Sequence, residues 1–437
     1  MIESGPAPEI VLTEHGPSLT TPPQTTGRFV VVLAEGAGAP AQILLDAAGV
    51  GVRPSAEMGD GDETVSEDTV FEELGIAVVS ADPDQLGALQ TAAATDGTIL
   101  SVSPELIHHV MADDYVRGYA DGVADLAHRL GVPPSDRPAA GPGTAPAAPR
   151  VPIFRDTADH TWGVEAVEAH LSDFSGQGVA VAVLDTGFDS GHPDFAGRSV
   201  TVRSFVPGES AQDGHGHGTH CIGTALGPVA PAGGPRYGVA HRADIFAGKV
   251  LSNGGSGSDA GILAGIEWAI RSGCAIVSMS LGADVPRIHP PYVAAGRRAL
   301  DKGVLIIAAA GNNAQRLQHN YGFVGTPANS PSVLAVGALT QQLDVAYFSA
   351  RTLTTVRGGQ VDLAGPGYQV YSSWPMPTRY RTISGTSMAT PHVAGVAALW
   401  AEATGFRGRE LWATLVEHSL RLAAPSLDVG SGLATSP

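Results

Sequence analysis

Cysteine is nearly absent. Cys221 and Cys274 are the only two in 437 residues, which excludes a disulfide framework and leaves the fold to be held by its core. A bridge between those two stays open. Charged residues make up 16% and aromatics 6% of the chain, and Lys plus Arg number 25 against 43 Asp plus Glu. That balance offers no basic patch for nucleic acid or an anionic membrane surface. The acidity is uneven: residues 1–150 carry 22 acidic and 6 basic side chains, and residues 151–437 carry 21 and 19. No uninterrupted apolar run reaches the roughly 20 residues needed to span a bilayer. Residues 1–26 lack the basic and apolar regions of a secretory signal. The expectation is a soluble chain, cytoplasmic by default, with export by an unconventional route left open.

What is plentiful is glycine (56), proline (32) and apolar side chains (43%), the composition of a compact, loop-rich globular protein. Single cores rarely grow much beyond roughly 300 residues, so two domains are expected. Residues 1–27, rich in Pro, Thr and Glu, read as a flexible tail. Order should begin at Arg28 with a strand over 29–33. A helix over 41–48, a short strand near Gly51, a looped-out acidic insertion over 57–73, a strand over 75–80, a helix capped by Asp82 and a strand over 98–102 follow. This βαββαβ order predicts a small α+β, ferredoxin-like unit over residues 28–111. Residues 114–130 read as a helix, and residues 132–148 as a Pro/Ala/Gly-rich linker, so that 112–150 separates two domains. From 151 to 437, apolar strand-like runs at 179–184, 245–250, 275–279, 304–309 and 333–336 alternate with helical patterns. That alternation predicts an α/β fold on a mostly parallel sheet, with ligands at the carboxyl ends of its strands.

Three segments carry chemistry. The first is a buried strand ending in Asp185, followed by Thr186 and Gly187, which puts a carboxylate at the carboxyl edge of the sheet within reach of an imidazole. Strand-end aspartates also commonly cap loops. In the second, His215, His217 and His220 stand among glycines. They lack the spacing of a His-Glu-x-x-His zinc helix, and one histidine at a helix start beside small residues suits a general base. In the third, Ser387 stands where a loop enters an apolar helix, so its hydroxyl and the first helix N–H groups share one place. A serine there can equally be a cap.

The order Asp185-Thr-Gly, His217-Gly-Thr-His and Gly385-Thr-Ser387-Met-Ala-Thr-Pro resembles the subtilisin-like serine peptidases over residues 150–437. Trp162-Gly163, Gly265-Ile-Glu-Trp268, Ser280-Leu-Gly282 and Gly430-Ser-Gly-Leu433 extend the resemblance across the domain. It implies a subtilisin-like three-layer fold and a serine endopeptidase in which Ser387 attacks, His217 moves the proton and Asp185 supports His217. Asn312 becomes the side-chain oxyanion donor, with the Ser387 N–H as its partner. Substrate, a protein or peptide, is expected as an extended strand between Gly254, Gly255, Ser256 and Gly257 on one side and Ser280, Leu281 and Gly282 on the other. Gly325 aligns with the floor of the primary specificity pocket, where a missing side chain admits a large apolar residue.

Cys221 lies near the site if its segment is helical, as in the proteinase K-like branch, or is a buried small hydrophobe. No cofactor is implied for catalysis and no metal site. Residues 227–235 lack the Asn-rich calcium loop of many secreted subtilisins, which leaves structural calcium open. The front unit resembles the inhibitory propeptides of these peptidases. The resemblance implies an intramolecular inhibitor whose tail near residues 108–111 lies in the substrate groove, with any maturation cut between 110 and 155. The rivals are a catalytically silent peptide-binding scaffold, a stable zymogen, and a metal-binding protein built on the histidine cluster.

Overall fold

The computed structural model describes residues 10–13, 16–19, 22–36, 38–57, 68–95, 97–110 and 154–437. The expected helix over 114–130, the linker over 132–148 and nearly all of the expected maturation region lie outside these residues.

The larger unit is built on seven strands in the order Leu363–Pro366, Leu334–Leu339, Leu305–Ala309, Ile276–Met279, Ala180–Asp185, Asp244–Lys249 and Val200–Ser204. Every neighbouring pair is parallel. Successive side chains point to opposite faces, as the period of a strand requires. Val181, Val183, Leu305 and Ile307 enter one core with the helices His217–Leu226 and Thr386–Thr404. Ala182, Leu184, Ile306 and Ala308 enter another with Asp259–Arg271 and Pro290–Asp301. Helices on both faces explain why the strands read as continuous apolar runs rather than alternating ones. This is the expected α/β architecture with a parallel central sheet.

The N-terminal unit has the strand order Ile99–Val110, Thr25–Leu33, Ile76–Val79, Thr69–Phe71 and Arg53–Pro54, with helices Pro40–Ala48 and Pro83–Thr95. Asp82 and Gln85 hydrogen-bond each other's backbone N–H, the reciprocal cap that starts the second helix. The sheet is buried on both sides. Val31, Leu33, Val70 and Val79 pack with Leu44 and Leu89 of its own helices. Val30, Val32, Ile76 and Val78 join the second core of the larger unit.

Three local expectations differ from the structure. Within the expected tail, Ile10–Thr13 and Gly16–Leu19 pair as an antiparallel hairpin, and the first long strand starts at Thr25. Thr26 and Arg28 both bind the buried Glu105 carboxylate across the sheet, which anchors that earlier start. The acidic insertion does not simply loop out. Thr69–Phe71 is a strand, the Glu73 N–H donates to Glu267 Oε1 at 2.8 Å, and the Glu73 carboxylate pairs with Lys302 at 2.5 Å. The last strand runs to Val110, far beyond residue 102, because its second half has partners in the larger unit. Among the described residues, no helix is long and apolar enough to cross a membrane.

Candidate active site

Asp185 ends the central strand Ala180–Asp185, and His217 opens the helix His217–Leu226. Gly216 immediately before it has φ 108°, a left-handed conformation natural to glycine, and a Cβ there would sit 2.3 Å from the Trp374 ring. His217 Nδ1 lies 2.7 Å from Asp185 Oδ1. The same Asp185 oxygen accepts the Thr186 N–H at 2.8 Å. With Nδ1 turned to the carboxylate, His217 Nε2 faces away from it, buried and without a hydrogen-bond partner among the described residues. Burial works against the imidazolium, but the Asp185 carboxylate and the Cys221 sulfur beside the ring together hold its pKa well above the ordinary 6.5.

Ser387 is the second residue of the helix Thr386–Thr404 and is fully buried. Its Oγ donates to the Ser280 carbonyl at 3.2 Å, and Ser280 Oγ donates to the Ser387 carbonyl at 2.8 Å. Asn312, just past the strand Leu305–Ala309, uses its Oδ1 to accept both the N–H and the hydroxyl of Thr386, each at 2.9 Å. Pinning the amide oxygen fixes which end of the side chain is its NH2 and turns that donor away from Thr386. Asn313, the neighbouring amide, is committed elsewhere: its Nδ2 donates to Asp284 and to the Phe323 carbonyl.

Asp213, which carried no role in the sequence reading, organises the approach to His217. One of its oxygens accepts Thr186 Oγ1, His215 N and Gly216 N, and the other accepts Thr219 N and Oγ1, at 2.7–3.0 Å. Thr186 Oγ1 in turn accepts Gly218 N at 2.8 Å. The loop after Asp185 and the helix carrying His217 are thus tied through one buried carboxylate. The signal available was an Asp and two glycines just before a helix start, the pattern of a cap. Lys249 was also missed. It is wholly buried at the end of the neighbouring strand and donates to the Thr186 carbonyl at 2.6 Å, with Glu209 as its counter-ion at 3.1 Å.

His220 hydrogen-bonds the carbonyls of Val370 and Arg381, and burial with His217 nearby lowers it to about 3, so it stands neutral beside the site. The His215 ring meets that of His217 edge-on at 6.2 Å. Cys221 Sγ is 3.8 Å from His217 Nδ1 and 3.6 Å from the Ser387 carbonyl. Burial pushes its thiol up, which makes it a poor nucleophile despite its position. Cys221 and Cys274 are both free. The one grouping of metal-ligating side chains among the described residues is Asp185, His217 and Cys221, and His215 and His220 are not in it.

The two expected walls flank a groove, and the groove holds a strand. Ser256–Ser258 pairs antiparallel with residues 107–109, and Leu281–Gly282 pairs with Val110 and His109. The Val110 N–H donates to the Gly255 carbonyl at 3.0 Å, while Gly254 leads into that wall with its N–H on Ser252. Met111 lies outside the described residues. Gly325 backs the second wall: its N–H binds the Ala310 carbonyl at 3.0 Å, and a Cβ there would lie 2.5 Å from the Ala283 carbonyl oxygen. Glycine at 325 therefore lets two backbones touch behind the groove.

The subtilase family model matches residues 176–432. The chain is 41% identical over 234 residues to a cuticle-degrading protease of Metarhizium anisopliae and 43% identical over 242 residues to M-protease of Shouchella clausii. These matches cover 52% and 54% of this chain, and the chain spans 54% and 58% of the two relatives' lengths. Subtilisin Savinase of Lederbergia lenta is 43% identical over 242 residues, 54% of this chain and 82% of the relative. Subtilisins need no cofactor for catalysis. The same relatives are secreted, extracellular subtilisins, which overturns the expectation of a cytoplasmic location. That expectation rested on the residue types of one short segment, and the fold itself places no such restriction. With its family model covering more than half the chain, the protein belongs to the subtilase family of serine peptidases.

Proposed function

We propose that this chain is a serine endopeptidase working through Asp185, His217 and Ser387, made with its N-terminal unit as an inhibitor in place. The observation that carries it is the pairing of His217 Nδ1 with Asp185 Oδ1 at 2.7 Å, while Nε2 is left buried and, among the described residues, unpartnered near the helix Thr386–Thr404 that carries Ser387. In the reaction Ser387 Oγ turns from the Ser280 carbonyl and attacks the peptide carbonyl carbon, and its proton passes to His217 Nε2. The oxyanion is held by the Asn312 amide and the Ser387 N–H at the helix start. His217 returns the proton to the leaving amine, and water then releases the acyl group by the same path. Asp185 holds the ring in the required tautomer and stabilises its cation.

Strand pairing of residues 107–110 with both walls supports an intramolecular inhibitor, because an extended peptide clamped on two sides is how substrate should lie. Recognition through backbone implies broad substrate range, with a preference for a large apolar residue in the pocket behind which Gly325 lies. A bulky side chain at Gly325 would push the Ala283 backbone into that pocket and move cleavage toward smaller residues. An unchanged cleavage profile in Gly325→Val sinks that part.

A fluorophosphonate probe tests the whole reading on the full chain and on Ser387→Ala. Labelling at Ser387 alone, increasing as the N-terminal unit is shed, is the expected result. A folded chain that never reacts, before or after that loss, would overturn it in favour of a silent peptide-binding scaffold.

A further inference from the structure

The strand in the groove also reports what its side-chain pockets accept, and one pocket is chemically unusual. His108 is fully buried, with Nε2 2.7 Å from Asp259 Oδ1. Tyr292 donates its hydroxyl to the same oxygen at 2.8 Å and meets the His108 ring edge-on at 5.5 Å. The other oxygen, Oδ2, takes the Leu106 N–H at 2.7 Å and lies 3.0 Å from His289 Nε2. Asp259 is the first residue of the helix Asp259–Arg271, yet none of its hydrogen bonds comes from that helix. The helix N–H of Ala260 is instead capped by Glu105 of the N-terminal unit at 3.0 Å. The Asp259 carboxylate is therefore aimed into the groove rather than spent on its own helix.

Burial opposes the ionised form of Asp259, and the hydrogen bonds from His108 and His289 override it, so the carboxyl stays well below its ordinary range. When the N-terminal strand leaves, a buried anion loses two of its four donors, and a leucine placed there would leave it unsatisfied.

We propose that Asp259, His289 and Tyr292 form a specificity subsite that selects a substrate bearing a donor-carrying, basic side chain (histidine, lysine or arginine) where His108 now lies. Asp259 is the selecting residue. The inference rests on the groove being the substrate cleft, as proposed above. It adds selection at one side-chain position to the backbone recognition proposed above, and it explains why the strand that occupies the groove presents a histidine at this depth.

The test uses peptides copying residues 103–116 with His, Lys or Leu at position 108, offered to the full-chain protein after whatever self-processing it undergoes. His and Lys peptides should exceed the Leu peptide by at least tenfold in kcat/KM, and Asp259→Leu should reverse the order. Equal rates for Leu and His in the wild type, or an unchanged ratio in Asp259→Leu, overturn the proposal. If no peptide is cut, the peptidase reading has failed, and hydrogen exchange in the full-chain Ser387→Ala background still decides the subsite. There His108→Leu should speed exchange of the Leu106 and Val110 amides at least tenfold, with His108→Lys staying within about threefold of the parent. Undiminished protection in His108→Leu overturns the subsite on its own.

Discussion

The two halves of the groove differ in kind. The floor, where Asp185, His217, Asn312 and Ser387 meet, is built from residues whose chemistry is specific and whose partners are fixed by buried hydrogen bonds. The strand lying over it belongs to the acidic N-terminal unit, and at residues 107–110 it is held by backbone pairing and by His108. A floor of this kind is damaged by any single atom change, whereas a clamp spread over many backbone bonds should weaken in steps. The comparison can be broken by showing that the floor tolerates change or that the clamp fails at one residue.

The largest effect falls on the floor. Ser387→Ala should lower kcat by about 10⁶-fold, a magnitude established in subtilisin and carried over here. Peptide hydrolysis by the purified variant checks it, and residual activity within a hundredfold of the parent would break the assignment. Asp185→Asn should cost on the order of 10⁴-fold and also move the pH profile. The sign follows from what opposes what at His217. Burial lowers its pKa while Asp185, with Cys221 in support, raises it with a net upward result, so the neutral base forms only above the ordinary 6.5 and activity climbs with pH on the alkaline side. Without the Asp185 charge, burial is left to dominate and the rising limb of the kcat/KM profile should shift toward acid. A limb that stays in place would detach Asp185 from His217. Asn312→Ala should cost about 2.7–4 kcal/mol of transition-state stabilisation, read in kcat with KM little changed.

How much of this was legible in the chain follows the same division. Asp185, His217 and Ser387 each stand at an element boundary, a strand end or a helix start, and such boundaries leave local marks in glycine and apolar pattern. The parallel sheet was legible for the same reason, because both faces of each strand are covered and the apolar runs are continuous. The pairing of His108 with Asp259 was not, although the tail near residues 108–111 was expected in the groove, since the two are 151 positions apart and Asp259 sits in no patterned motif. The length of the strand Ile99–Val110 was hidden too. Its first residues pair within their own unit and its last pair with residues 256–258 and 281–282, so no local propensity marks where it stops. Asp213 stands two residues before His215, but its role as a hub for five donors requires Thr186 and Thr219 to meet in space.

On the clamp side the effects should be smaller and graded. Glu105 is wholly buried and accepts Arg28 Nε, Arg28 Nη2, Thr26 and the Ala260 N–H at once. Glu105→Ala leaves those donors unsatisfied at the seam between the two units, a loss of about 1–3 kcal/mol. In the full chain this should speed fluorophosphonate labelling of Ser387 by roughly tenfold or more, since the strand must lift before the probe enters.

Lys302 and Glu73 form the natural control for that measurement. They too bridge the two units, at 2.5 Å, but their side chains are 41% and 39% exposed. Water already satisfies both groups and salt screens the attraction, so an exposed pair of this sort is worth about 0–1 kcal/mol. Lys302→Ala should therefore change the labelling rate by less than about threefold, and raising the salt concentration should shrink even that difference. If Lys302→Ala instead frees Ser387 as effectively as Glu105→Ala, the seam is held by its rim rather than by its buried carboxylates, and the graded picture of the clamp gives way to one governed by surface charge.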